Sequence, residues 1–522
     1  MLVNKQLQAA VLDTVGINGL DTQTHATALD PTWFTKADNI VYTEGGKVTF
    51  RKGTKQRTVS EDPINLDPTG AMIEHKPSNK IFAGVNGHIY EVDLANPDTA
   101  WINPFTTGAS ASDWQFVEYD TDIYGFQTGA TIVEYTLSTW STVTTKPAGV
   151  TTFDPSCGLG QYGRVWAGGV TEDKNVLYYT QIDTPTGWAT GDAGYVNLKS
   201  VWGGDEIVAV HAYAGKLVVF GRQNIAIYNN PWDVANMYLD EVVEGVGCVS
   251  RDSVQAVGND LFFMSDTGVR SLRRTAEANQ DKLPLREIST TVKDEMIAHV
   301  TNSANVKSAY VLDEGLYIVS FVDLNVTYVF DITYWTPRDT PRVTKWYFEG
   351  DREPVSLVYS ETYGLLFGQK HGYVCSYEGY YDSDYEGSAV YTNNPFTGLF
   401  STVWIDLGQG YVSSILKKML IVVSGGQGTD AGLRTYKDFE LTPASSATFK
   451  INPTLTGTPY KFGSSDALFG TAKYAPIYGL KEVGLPLAGD AKYLRFEMDG
   501  VTNGYKASLQ SITLLYKQGK VY

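Results

Sequence analysis

The residues best suited to chemistry in this sequence are few, and none has the neighbours its chemistry needs. Gly158-Leu-Gly-Gln-Tyr-Gly163 has the spacing of a turn that cradles a pyrophosphate. Such a site needs a strand before the glycines and a helix N-terminus after them, where unpaired N–H groups point at the anion. Here Arg164-Val-Trp-Ala-Gly-Gly169 follows, which reads as a strand, so the segment is expected to be a turn without a nucleotide. No P-loop spacing occurs, and the six histidines (His25, His75, His88, His211, His299 and His371) never fall two to a motif, as a zinc site of the HExxH kind requires. A nucleophile elbow G-x-S-x-G is also missing.

Asp382-Ser-Asp384-Tyr-Glu386-Gly387 begins like a calcium loop, with oxygen ligands at alternate positions and glycine at the sixth. The twelfth position is Asn393 and not the bidentate glutamate that closes such loops, so a solvated acidic turn is the better reading. Ser265-Asp-Thr-Gly268 is half of an Asp-box turn whose downstream Trp is missing, with Leu272 near its place; it reads as a hairpin turn. Arg270, Arg273 and Arg274 form a small basic cluster, read as a protein contact. A pair of glycosidase carboxylates has no specificity as a signal among 58 acidic residues. The expectation is a protein that is not an enzyme, with no catalytic, cofactor-binding or metal-ligating residue and no cofactor.

The elements that would position any site are strands. Of 522 residues, 43% are hydrophobic and only 19% charged, and 51 glycines accompany 34 tyrosines. Aromatic and β-branched side chains pack on pleated surfaces, while glycine supplies turn dihedrals. No stretch approaches the ~20 apolar residues of a membrane span, and the opening MLVNKQLQAAVLDTVG lacks the apolar segment and cleavage site of a secretory signal. Synthesis and folding in a cytoplasm are therefore expected. Cys157, Cys248 and Cys375, odd in number and widely scattered, fit reduced thiols there. With 41 basic and 58 acidic residues the net charge is −17. Such a surface repels phosphate, which argues against specific or condensing DNA binding but not against DNA moving past it.

A repeated pair of apolar runs around a short turn organises the middle of the chain. It occurs at 80–93, 122–136, 164–180, 216–229, 261–272, 316–331 and 364–379. Turn markers Asn86, Thr128, Asp173, Gln223, Thr267, Leu324 and His371 are 42, 45, 50, 44, 57 and 47 residues apart. A period of about 40–50 residues made of strands is that of β-propeller blades. Runs such as Leu217-Val-Val-Phe220 are continuously apolar, as strands covered on both faces are. One helix is expected within 289–300, capped by Ser289 or Thr290, with Val292 and Met296 on its apolar face. The predicted fold is all-β: a β-propeller of about 6–7 blades over 76–385, an irregular N-terminal docking region over 1–75, and an antiparallel β-sandwich over 386–522. The N-terminal region ends in a hairpin carrying five basic residues from Lys47 to Arg57.

Three stretches, taken in order, resemble the tail nozzle proteins of short-tailed bacteriophages, also called tail tubular protein B or DNA-stabilisation proteins. They are Gly16–Leu20 with Ala37–Ile40 and Arg51–Gly53; residues 245–272; and the end from Tyr493 to Gly519. The resemblance implies a structural protein of the virion tail. Six copies would surround the tail axis, attached to the head-to-tail adaptor and in contact with fibres or spikes. DNA would pass through the lumen without specific binding, and the protein would not insert into a membrane. The alternative is a carbohydrate-binding or carbohydrate-cleaving propeller on the virion. A lectin would repeat its ligand residues at one place in each blade, and the seven turns share no such set.

Overall fold

The computed structural model describes residues 7–521, apart from 44–45, 59–67, 97–100, 108–112, 137–138, 282–286, 303–304, 349–351, 381–394, 408–411, 426–429, 452–479, 488 and 503–505. The chain divides into two compact units. The first gathers residues 1–55, 328–349 and 377–522; the second gathers 56–327 and 350–376. These units cut the chain differently from the three consecutive segments 1–75, 76–385 and 386–522 read from the sequence.

The second unit is a β-propeller. Six of its sheets are self-contained antiparallel blades, whose first strands are Ala71–His75, Gln115–Tyr119, Cys157–Gln161, Ile207–Tyr213, Gln255–Val257 and Pro354–Ser360. A further set, Val306–Val311 and Leu316–Phe321 with the start of Val326–Trp335, stands between the fifth and the last. Numbering all seven in chain order, the first strands of blades 5, 6, 7 and 1 pack side by side, and those of blades 1 to 4 continue the circuit. These first strands are the innermost. Each of the seven expected hairpins is the second and third strand of a blade.

The continuous apolar runs have the expected cause. Leu217, Val218, Val219 and Phe220 of blade 4 are all fully buried. Leu217 and Val219 belong to a cluster with Trp166 and Leu177 of blade 3, while Val218 and Phe220 join Leu261 and Phe263 of blade 5. Successive side chains point to opposite faces, so a strand between two blades needs apolar residues at every position. Asn86 and Gly87 turn the hairpin of blade 1 with φ of 34° and 76°, the left-handed pair that matches strand twist.

The ring is closed by residues from the N-terminal side. The Arg57 N–H donates to the Val374 carbonyl at 2.8 Å, and its Nε donates to Ser376 Oγ at 2.8 Å, so the outer strand of blade 7, Thr54–Gln56, comes from before blade 1. Blade 5 has three strands, because Leu272–Asp281 is a helix where a fourth strand would lie. Its leucine, arginines, alanines and glutamate are good helix formers. The helix expected at 289–300 is shorter, Lys293–Ala298, and begins at Val292 without a side-chain cap. Ser289 is engaged elsewhere: its Oγ accepts the Val269 N–H of blade 5 at 2.9 Å.

The described residues of 1–75 include strands that pair with the C-terminal part of the chain. In the first unit, Gln8–Leu12 and Lys47–Phe50 both pair with the C-terminal strand Ala507–Val521, and Phe34–Asp38 pairs with Gly398–Thr402. The unit has two sheets. One runs Ile40–Thr43, Lys47–Phe50, Ala507–Val521, Val412–Gly425, Leu480–Pro486; the other includes Phe34–Asp38, Gly398–Thr402, Tyr493–Gly500, Asp430–Lys437 and Ser445–Lys450. Phe50 of the first sheet fills the space over Gly398 and Gly500 of the second, where no side chain would fit.

The glycines of Gly158–Gly163 owe their place to blade packing. Gly158 and Gly160 lie on the inner strand of blade 3, and only Tyr162-Gly163 is the turn. A Cβ on Gly158 would strike the Phe126 ring, and one on Gly160 would strike the Glu118 carbonyl oxygen, both of blade 2. Gly160→Ala is expected to lower unfolding free energy by about 1–3 kcal/mol, since a carbonyl in a paired strand cannot retreat. Gly204→Ala, where a Cβ meets nothing within 4 Å, is the control and should leave thermal unfolding unchanged.

Candidate functional site

Four charged groups of the propeller are set at the openings of its inner strands. Asp113 precedes the inner strand of blade 2, and Lys307 is the second residue of that of blade 6. Arg251 and Asp252 belong to a single helical turn, Arg251–Ser253, directly before blade 5. Ser253 holds the turn, its N–H and Oγ donating to the Ser250 carbonyl at 3.1 and 2.6 Å. Ser250 Oγ then donates to the Val306 carbonyl at 3.0 Å, and Ser308 Oγ to the Asp252 carbonyl at 2.6 Å. The turn is thereby fastened to blade 6, with Lys307 beside it.

From this frame the four side chains meet across the propeller's axis. Arg251 contacts the Asp113 carboxylate at 3.1 Å and Asp252 at 3.4 Å. Lys307 Nζ lies 2.7 Å from Asp252 and also pairs with Asp113. The guanidinium donates besides to the backbone carbonyls of Asp113 and of Ser156 at the opening of blade 3. Blade 2 stands across the ring from blades 5 and 6, so these contacts bridge it.

The network separates two hollows that share Arg251 and Asp252. One, about 290 Å³, also touches Lys174, Glu206 and Arg222; the other, about 190 Å³, also touches Trp114, Lys307 and Ser356. Their charged side chains are engaged within the protein. Lys174 pairs with Glu206 at 3.0 Å, and Arg222 donates to the Val249 carbonyl at 2.9 Å. Burial alone would push the Asp252 carboxyl up, but Lys307 and Arg251 outweigh it and hold the group below the usual carboxylate range. Burial opposes the charge on Lys307 too, yet Asp252 and Asp113 raise it above its ordinary value. These groups therefore stay ionised through neutral pH, whereas a general acid or base works best with a pKa close to the operating pH. The paired network holds blades 2, 5 and 6 together.

A third hollow of about 380 Å³ touches the far ends of the inner strands, among Glu74, Glu118, His211 and Tyr359. His211 is held below its ordinary value by burial, and its Nδ1 lies 2.9 Å from the Ala212 carbonyl. Glu74 accepts from Ser360 Oγ at 2.7 Å and the Glu361 N–H at 3.1 Å. No serine or cysteine is bonded to His211 among the described residues.

The residues singled out from the sequence are dispersed. Asp382–Gly387 and Asn393 lie outside the described residues. Ser265–Gly268 is the hairpin turn of blade 5, and Arg270 folds over it, bonded to Thr267 and paired with Glu287 at 2.9 Å. Arg270 is thus buried within its blade, while Arg273 and Arg274 begin the helix that follows. His25 bonds Thr27, His75 bonds Ser78 and the Thr121 carbonyl, and His299 packs on Phe321. Among the described residues no three His, Cys, Asp or Glu gather as metal ligands.

Of the basic hairpin, Arg51 is not a surface residue. It is fully buried in the first unit, 3.8 Å over the Phe396 ring, with Nε donating to Asn39 Oδ1 at 2.9 Å and Nη2 to the Tyr347 carbonyl at 3.0 Å. Asn39 has a φ of 54° and also accepts the Tyr347 N–H at 2.9 Å. Two of the short stretches that carry the tail-protein resemblance are therefore one structural joint. The axial network went unread, because nothing in the sequence joins Arg251 to Asp113, 138 residues earlier.

No family model matches the chain, and no curated protein sequence does. Solved structures do. The chain is similar to streptogramin B lyase, at 12% identity over 62% of this chain and 97% of that one, with a TM-score of 0.39. It is similar to the WD40 repeats of RRP9, at 10% identity over 62% and 98%, with a TM-score of 0.40. PorZ of Porphyromonas gingivalis matches at 13% identity over 70% of this chain and 44% of that one, with a TM-score of 0.37. The shared feature is the propeller. At such identities the likeness is one of fold and conveys no activity.

The depressed pKa of Asp252 fixes the sign of a pH effect. Its contribution to stability is complete above its unfolded value of about 3.9 and disappears as the pH falls through the lower folded value. Chemical denaturation between about pH 5 and pH 3 should show steep loss of stability in the native protein and a flatter dependence in Asp252→Asn. Equal slopes would mean that Asp252 is not held by the network.

Proposed function

We propose that the chain is a structural component of a short bacteriophage tail. Copies of it form a ring-shaped nozzle around the DNA exit channel, attached to the head-to-tail adaptor and supporting fibres or spikes. The ordered resemblance of its opening, central and closing stretches to tail nozzle proteins is the starting point. The observation that carries the reading further is the closed axis. Asp113, Arg251, Asp252 and Lys307 bridge the propeller's middle, and the inner strands of a propeller converge too closely for duplex DNA in any case. DNA would pass between copies, around a cyclic axis whose contacts close after a fixed number, six in this proposal.

The acidic balance suits that role, since carboxylates facing a lumen would keep DNA from sticking while cations would add holding points. The depressed Asp252 carboxyl, paired with Lys307 and Arg251, also suits a non-enzymatic protein better than a depolymerase, which needs a carboxyl left protonated at working pH. Electron microscopy of virions, with this chain located by a tag, should find six copies in a ring on the tail axis. Single copies at fibre tips, away from the axis, would defeat the assignment and favour a receptor-binding propeller.

A further inference from the structure

In the first unit, a guanidinium without a partner stands on one face of the sheet that contains Tyr493–Gly500. Side chains alternate along this strand: Leu494, Phe496 and Met498 are buried in the core, while Tyr493, Arg495, Glu497 and Asp499 take the opposite face. The strand lies between Ile405-Asp406 and Asp430–Lys437, and Arg495 is registered with Tyr436. Arg434 on the same face is a paired cation, 2.6 Å from Asp499 and 3.4 Å from Glu497. Arg495 makes no ion pair or hydrogen bond among the described residues, and its Nε is buried and unbonded. Its guanidinium lies between two rings instead, 5.0 Å from the centre of Trp404 and 4.2 Å from that of Tyr436.

Further aromatic rings extend this row. Phe439 lies 5.0 Å from Trp404 and 4.8 Å from Tyr493, and it is 47% exposed. Its backbone is strained. Asp438 and Phe439 have φ of 47° and 68°, and the Glu440 N–H donates to the Lys437 carbonyl at 2.9 Å. A turn with two left-handed residues favours Asn or Asp followed by glycine, whereas a bulky side chain in the second place is an outlier. Asp438 secures the turn, its Oδ1 accepting the N–H groups of Lys492 and Tyr493 at 2.8 and 3.0 Å. Strain of this kind collects at binding sites, where the surrounding structure holds it. Here it presents an aromatic ring beside an unpaired guanidinium.

We propose that Trp404, Phe439, Tyr493 and Arg495 bind an acidic saccharide. The C–H face of the sugar ring lies on the aromatic rings, and its carboxylate takes the unpaired N–H groups of Arg495. A guanidinium fork matches a carboxylate in geometry and holds it with two parallel hydrogen bonds. Asp406 and Asp438 flank Tyr493, so a single carboxylate is tolerated where the phosphates of a nucleic acid would be repelled. A protein partner would need about 800 Å² of matching surface, and here the rings give way at once to the paired charges of Arg434, Glu497 and Asp499. A small, half-apolar anion fits that outline. The site lies in the first unit and goes beyond the nozzle reading without depending on it.

Calorimetric titration of the full chain tests it, with trigalacturonate, a hyaluronan tetrasaccharide and sialyllactose as probes, each beside its methyl ester. At least one acid should bind, and its ester should bind about tenfold more weakly or less. Arg495→Met should lower affinity for the acid about tenfold or more and leave that for the ester unchanged. Phe439→Gly should weaken binding of both without lowering thermal unfolding, because glycine relieves the strain as the ring contacts are lost. Equal affinity for acid and ester, native affinity in Phe439→Gly, or no binding of any probe would overturn the proposal. So would tighter binding of a dT10 oligonucleotide or of an acidic peptide. Location of the chain on virions decides the nozzle reading separately.

Discussion

Arg251 is held from both sides of the propeller at once, and the bridging of the ring's middle depends on that. Its guanidinium meets the carboxylate and carbonyl of Asp113 on one side and Asp252 on its own, while Lys307 completes the square. Charges withdrawn from water are tolerated only when they are paired and their remaining hydrogen-bonding capacity is met. Here the backbone of Ser156 takes a further N–H, and Ser250 and Ser308 tie the turn to the neighbouring blade. The arrangement is unforgiving: moving blade 2, 5 or 6 leaves a charge unpaired.

The same economy explains the interleaving of the chain. The outer strand of the last blade comes from before the first, so both ends of the propeller segment are held in one sheet. In the first unit the C-terminal strand Ala507–Val521 pairs with strands from residues 8–12 and 47–50, and the buried Arg51 joins Asn39 to Tyr347. Neither unit is built from one continuous stretch, which is why a division into three consecutive segments did not describe them.

What could be read from the sequence follows from local physics. The hairpins were visible because strands between blades are apolar on both faces, as in Leu217–Phe220, and because turns such as Asn86-Gly87 announce themselves. The inner strands were not. Segments such as Gln115–Tyr119 and Gln255–Val257 mix polar and apolar residues, since one edge of each faces the axis and its hollows. The helix Leu272–Asp281 was missed because the repeat invites a fourth strand there, while its residues favour a helix. Phe34–Asp38 looked irregular because its partners lie over 360 residues away, as in the bond from Thr35 to the Thr402 carbonyl. The axial site is non-local in the same way, and no spacing rule would have assembled it.

The propeller is a ring whose middle is bridged by mutually paired charges. The most direct test of that centre is a double-mutant cycle on Asp113 and Lys307. Unfolding free energies of Asp113→Asn, Lys307→Met and the double variant give the coupling between side chains that reach the axis from opposite blades. The account predicts a coupling of about 1 kcal/mol or more, the double variant being less damaged than the sum of the singles, because each change removes the other's partner. Additive effects, within about 0.3 kcal/mol, would show that the two charges do not hold each other and would contradict it.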